Sequence, residues 1–219
     1  MKLSIPIRDE NDNVLLNRNV ELTNRYIDRL KDMGFQSVYI SDPDLADVSL
    51  EDMLSDNTRH AASRHLNVSF KQLDSIVHSF KNDSAEKIIS NLRSKETKRA
   101  FGASGVYNNT VRVVENFIEE VVSSAALNGF NSLKTHDNYT YNHSIDVTVN
   151  AIMIGRKIGL NIRQLQELAV GCLLHDVGKV FISPILLNKN GRLTEEEFEI
   201  IKEHPTLGYE LLRESVPIL

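Results

Sequence analysis

Residues 161–179 read NIRQLQELAVGCLLHDVGK. Asn161 is suited to cap a helix, and Leu165, Leu168, Ala169 and Cys172 then fall on one apolar stripe at helical spacing. Continuing that stripe by three and four residues arrives at His175 and Asp176, so a core-facing surface ends in a nitrogen donor beside a carboxylate. Such groups are costly at the edge of an interior unless they are paired or bind a metal. A His-Asp pair that simply closes the helix, with an imidazolium favoured by the helix dipole, satisfies the pattern equally well. Gly178 lets the chain turn sharply after the pair, and Lys179 sets a cation beside it, suited to a phosphate oxygen.

Two more histidines occur in related settings. Upstream, YTYNHS over 139–144 opens a helix with Ile145, Val149 and Ile152 on one face, which puts His143 in its first turns. Downstream, Thr194 followed by Glu197 makes a capping box, and the helix it starts is expected to end at His204, before Pro205. One histidine of this kind is ordinarily a packing or helix-end residue. Three along a helical region, one joined to an aspartate and a lysine, point to a metal site for phosphate chemistry. His60, His65 and His78 lack such company and read as surface or packing residues.

The rest of the 219 residues frames this region. The first forty mix short apolar runs with polar turns: strands over 3–7 and 14–16, a helix capped by Thr23 and stopped by Gly34, and a strand over Phe35-Gln36-Ser37-Val38-Tyr39-Ile40. After about residue 50 the pattern is helical, with helices expected near 57–80, 84–94, 106–128, 139–158, 162–176, 195–203 and 206–214. The fold class is therefore mainly α, a small N-terminal α+β module followed by an all-α domain. Three parts follow: a leader module at 1–48, a helical connecting or regulatory region at 49–128, and the domain with the histidines at 129–219. The polar stretch 82–104 reads as the weakest-packed part, a hinge or an exposed helix pair. Val106, Val113, Val114, Phe117, Ile118, Val121 and Val122 make a broad apolar face, used inside the chain or, in a homodimer, between copies.

Composition narrows the function classes. A formal charge of −5, with 25 Lys+Arg against 30 Asp+Glu and no Trp, argues against a nucleic-acid groove. No apolar run of about 18 residues is present and the N-terminus turns polar early, so a membrane segment is not expected and a cytoplasmic address is. The lone Cys172 excludes an intrachain disulfide and reads as a buried small hydrophobe.

The strings YTYNHS, HDVGK, the segment ILLNKNGRLTEEE and KEHPTLGYELL, all within 139–212, together resemble the HD-GYP subgroup of the HD metal-dependent phosphohydrolases. The resemblance covers about a third of the chain, and implies an HD-type helical domain that hydrolyses cyclic di-GMP to pGpG and GMP with two divalent metal ions, Fe or Mn. In its terms His143 and His175 bind one metal, Asp176 bridges to the second, and His204 binds that second ion. Asp176 and Lys179 are then the catalytic pair, with Lys179 also binding the substrate phosphate. Family members with a third metal carry a glutamate four residues before the first histidine; Tyr139 stands there, so two ions are expected. The family pattern continues with a His-His-Glu segment, a Gly-Tyr-Pro loop and a later aspartate, whereas this sequence stops at Leu219 and its Gly208-Tyr209 precedes Glu210. The expectation is the front portion of a catalytic domain that is incomplete at its C-terminus, or, in a different class, an inactive binding or dimerisation module.

Overall fold

The computed structural model describes residues 1–4, 6–8, 14–33, 35, 38–41, 53–123 and 139–213. Its N-terminal part is built from four very short strands and one helix: β1 (Lys2–Leu3), β2 (Ile7–Arg8), β3 (Val14–Leu16), α1 (Asn24–Asp32) and β4 (Ile40–Ser41). β1 pairs antiparallel with β4, Leu3 opposite Ile40, and β2 pairs with β3, Ile7 opposite Leu16. Pro6, which has no N–H to give a ladder, separates β1 from β2 where one strand was expected. The strand expected from Phe35 is confined, among the described residues, to β4. The Phe35 N–H instead donates to the Leu30 carbonyl at 2.9 Å, closing the end of α1, and its ring fills a small core with Leu3, Ile7 and Leu30. Thr23 caps α1 as expected, accepting from the Tyr26 N–H at 3.3 Å. Gly34 lies outside the described residues.

The remaining elements are helical: α2 (Asp56–Val77), α3 (Ala85–Leu92), α4 (Lys95–Ser104), α5 (Val106–Ser123), α6 (Tyr139–Lys157), α7 (Ile162–Leu174), a 3-10 helix (Val177–Phe181), α8 (Pro184–Leu187), α9 (Glu195–Lys202) and α10 (His204–Leu212). The mainly α fold class expected from the sequence is the one observed. The side-chain caps at Asn161 and Thr194 both form as capping boxes, with Gln164 and Glu197 reaching back.

Two apolar cores organise these helices. One joins Leu54, Leu66, Phe117, Val121, Ile145, Ile152, Leu165 and Leu173, so α2 and α5 pack directly on α6 and α7. The other joins Leu73, Ile88, Leu92, Phe101, Val177, Phe181, Leu207 and Leu211. The apolar face of α5 is thus consumed inside the chain: Val106, Val114, Phe117, Ile118 and Val121 are buried there. The stretch 82–104, expected to be a hinge or an exposed helix pair and weakly packed, is a pair of amphipathic helices, but with Ile88, Leu92, Phe101 and Thr97 buried. Gly105 at φ 69° takes the left-handed conformation that separates α4 from α5.

An ion cluster ties α10 to α3. Glu210 on α10 is buried and accepts from Arg93 Nε at 3.1 Å and Nη2 at 2.8 Å, and from Arg213 at 3.2 Å. The Arg93 hydrogen bonds, opposed by desolvation and reinforced by the charge of Arg213, hold the Glu210 carboxyl below the ordinary carboxylate range. Because the folded-state value is depressed, this contribution is complete above the ordinary glutamate pKa and is lost as pH falls through the depressed one.

The 3-10 helix and α10 touch backbone to backbone. A β-carbon on Gly178 would stand 1.9 Å from the His204 carbonyl oxygen and 2.7 Å from the Gly208 nitrogen. One on Gly208 would meet the Gly178 nitrogen at 3.1 Å. Gly178 is therefore required by close approach, and its φ is not left-handed, so the sharp turn inferred from the sequence is not its reason. Gly178→Ala should lower the unfolding free energy by at least the roughly 1–3 kcal/mol typical of overpacking. Gly171→Ala, which has open space around it in α7, should be neutral or stabilising by up to about 1 kcal/mol. Urea denaturation of the two variants checks this. In the same assay Glu210→Gln should be destabilised relative to the native chain at pH 7, and the gap should narrow toward pH 3 as the native carboxyl protonates.

Candidate metal centre

Asp176 lies at the centre of the histidines and is 4% exposed. It directly follows α7 in the turn that leads to the 3-10 helix, so the packing of Leu173, Leu174 and Val177 on either side fixes its depth. Its two oxygens face different partners. Oδ2 is 3.4 Å from His175 Nε2 and 2.7 Å from Lys179 Nζ, which donates a hydrogen bond to it; Oδ1 is 3.4 Å from His204 Nε2. His143, on the first turns of α6, meets His175 edge to face with ring centroids 5.3 Å apart. One donor atom each from His143, His175 and Asp176 fall within 4.8 Å of one another. Two donors about 2.1 Å from a shared ion stand up to about 4.2 Å apart, so only a slight closing of side chains separates this cluster from a coordination shell.

The orientation of two rings is set by the backbone. Nδ1 of His175 is 2.7 Å from the Cys172 carbonyl, and Nδ1 of His204 is 2.6 Å from the Ile201 carbonyl. A carbonyl only accepts, so each Nδ1 carries a proton and each Nε2 is the nitrogen turned toward Asp176, where it could ligate a metal. This is the arrangement of a metal-ligating histidine, and a neutral N/O donor set around one buried carboxylate suits Fe, Mn, Zn or Ni. The residues present therefore fit a divalent metal.

The structure brings His143, His175, Asp176, His204 and Lys179 to one place. It corrects one detail: α9 ends at Lys202, and His204 is the first residue of α10. Pro205 falls in the first turn of α10, where its missing N–H costs nothing, so it begins that helix and does not end the previous one. His65 has partners other than these residues. His65 bonds Thr110 at 3.1 Å and Ser69 at 3.3 Å between α2 and α5, and burial pushes its pKa down. Cys172 is half-buried, with its thiol pushed up by burial, and so is less enclosed than expected. Sequence reading picked out neither the carbonyls that orient the rings nor the Gly178–Gly208 contact that sets His204 beside Asp176. The signal for the first was present, since each histidine follows its acceptor by three residues, the reach of one helical turn.

Comparison with known proteins agrees with this geometry. Residues 140–216 match the family model of the HD domain. Cyclic di-GMP phosphodiesterase PA4108 of Pseudomonas aeruginosa is 40% identical over 80 residues, 36% of this chain and 19% of that protein. The cyclic di-GMP phosphodiesterase of Thermotoga maritima is 35% identical over 107 residues, 48% of this chain and 28% of that protein. The 3'3'-cGAMP-specific phosphodiesterase 1 of Vibrio cholerae is 32% identical over 89 residues, 41% of this chain and 20% of that protein. The chain thus spans about a fifth to a quarter of the length of these curated relatives, and no solved structure matches it. Among the described residues no helix is long and apolar enough to cross a membrane. The five clustered side chains all lie inside the segment that matches the HD domain.

Proposed function

We propose that this chain contributes the front portion, from about residue 129, of a two-metal phosphodiesterase that hydrolyses cyclic di-GMP to pGpG and on to GMP. The carrying observation is the division of Asp176, whose Oδ2 faces His175 and whose Oδ1 faces His204, both at 3.4 Å. A buried carboxylate with a histidine nitrogen at each oxygen is built to bridge two cations. The names of the relatives, most of which act on cyclic di-GMP, support the substrate.

In this reading His143 and His175 would help hold one ion, Fe or Mn, His204 the other, and Asp176 would serve both. A bound divalent pair lowers the pKa of a coordinated water and draws charge from the phosphodiester. His175 and His204 keep their Nε2 atoms aimed inward through their Nδ1 bonds to Cys172 and Ile201. Lys179 is 23% exposed and within 2.7 Å of Asp176, so its ammonium can turn from the carboxylate to a phosphate oxygen as negative charge develops there. The burial of Asp176, Val177 and Phe181 limits bulk water beneath the reacting phosphate.

Asp176→Asn should abolish hydrolysis of cyclic di-GMP by the protein carrying the complete domain, assayed with Mn²⁺ or Fe²⁺ by chromatography of pGpG. The drop should exceed about a hundredfold, since even a residue that only hydrogen-bonds a metal ligand is worth ten- to a hundredfold. Unchanged turnover in that variant would remove the metal assignment. Faster cleavage of 3'3'-cGAMP than of cyclic di-GMP would overturn the choice of substrate.

A further inference from the structure

We propose that α2, which lies outside the segment matched by the HD family, sets the rotation of α6 and with it the aim of His143, and that Arg59 is the positioning residue through which it does so. The inference rests on the reading of His143 as a metal ligand.

Contacts between α2 and α6 flank His143. Arg59 Nη1 donates to Asp146 Oδ1 at 2.7 Å, with the side chains 18% and 21% exposed. Phe70, eleven residues further along α2, meets the ring of Tyr141 edge to face at 5.5 Å between centroids. At 100° per residue Asp146 and Tyr141 lie about 140° apart around α6, one on each edge of the surface that faces α2. Two contacts so placed resist rolling of the helix, which one contact would not. Asp146 also lies three residues beyond His143, the spacing at which side chains neighbour one another on a helix.

Rolling matters because the imidazole stands far from the axis. With side-chain atoms about 5–6 Å out, a 20° roll carries the ring nitrogen through roughly 2 Å, about ten times the ±0.2 Å within which metal–ligand distances are held. His143 is carried by a helix that is braced from another part of the chain, through Arg59–Asp146 and Phe70–Tyr141. The same α2 begins at Ser55, whose N–H and hydroxyl both donate to Glu120 of α5, at 2.7 and 3.0 Å. A displacement of the start of α2 would therefore be delivered to His143.

The experiment titrates the full 219-residue chain with Mn²⁺ by isothermal calorimetry and follows the imidazole NMR signals of His143 without metal. Arg59→Ala should weaken Mn²⁺ binding by about tenfold, in line with other residues that orient a metal ligand, and should shift the His143 signals. Exchanging the charges, Arg59→Asp with Asp146→Arg, should restore both. Lys81→Ala, which breaks the 2.6 Å pair with Asp74 on the same helix, should change neither. Mn²⁺ affinity within a factor of two of the native chain and unmoved His143 signals in Arg59→Ala would overturn the proposal. If the native chain binds no Mn²⁺ while Arg59→Ala still moves the His143 signals, the positioning stands and the metal reading fails.

Discussion

A carboxylate with 4% of its surface exposed cannot be left alone inside a protein, and Asp176 dictates what must surround it. Its partners come from three separate places in the chain: His175 from the end of α7, Lys179 from the 3-10 helix, and His204 from the start of α10. The first two are local and follow almost from covalent connectivity. The third is not, and it is secured by the absence of two side chains, since Gly178 and Gly208 let the 3-10 helix and α10 meet at backbone distance. The carboxylate, the glycine beside it and the helix that brings His204 act as one unit.

That unit is held from outside the family segment. The second core takes Leu73 of α2, Ile88 and Leu92 of α3 and Phe101 of α4 and sets them against Val177, Phe181, Leu207 and Leu211, the residues that flank the site. The first core does the same for α6 and α7, through Leu66 of α2 and Phe117 of α5. Arg93 then fastens the outer end of α10 through Glu210, and Arg156 near the end of α6 donates to the Val121 carbonyl of α5 at 3.1 Å. The helices over 53–123 thus form walls of the site and cannot be a passive tether to it. A metal held at the site would be linked to the state of those helices in both directions, because any ligand that favours one arrangement of the walls is favoured by it.

Much of this was legible before the structure. Helix caps are local chemistry, so Thr23, Asn161 and Thr194 could be read directly, and the stripe ending in His175 and Asp176 follows from helical periodicity. What the sequence hid depends on contacts between distant residues. Arg59 and Asp146 are 87 positions apart and each reads as a solvated charge. Arg93 and Glu210, 117 apart, do the same, and their pairing is what allows the polar run 82–104 to be firmly packed. Pro205 misled in a different way: proline is incompatible with a helix interior but welcome in a first turn, and only the path of the backbone decides which of the two applies.

The charges at the site carry a final consequence. With the imidazoles neutral, Asp176 and Lys179 cancel, so the described cluster offers two divalent cations no net negative charge. Their mutual repulsion and that of Lys179 must be offset by anions from elsewhere: a coordinated hydroxide, the phosphodiester itself, or carboxylates supplied by further parts of the domain. On the proposed two-metal reading each divalent ion would therefore bind more readily once an anion is present, and an anionic substrate once the ions are. Lys179 would add to this coupling, because the hydrogen bond it gives Asp176 would compete with a metal for Oδ2 and is best replaced by one to another negative group. A phosphate oxygen is such a group, so on the proposed two-metal reading the loading of the metals and the engagement of the substrate would be parts of one electrostatic equilibrium, with Lys179 passing from carboxylate to phosphate as it shifts.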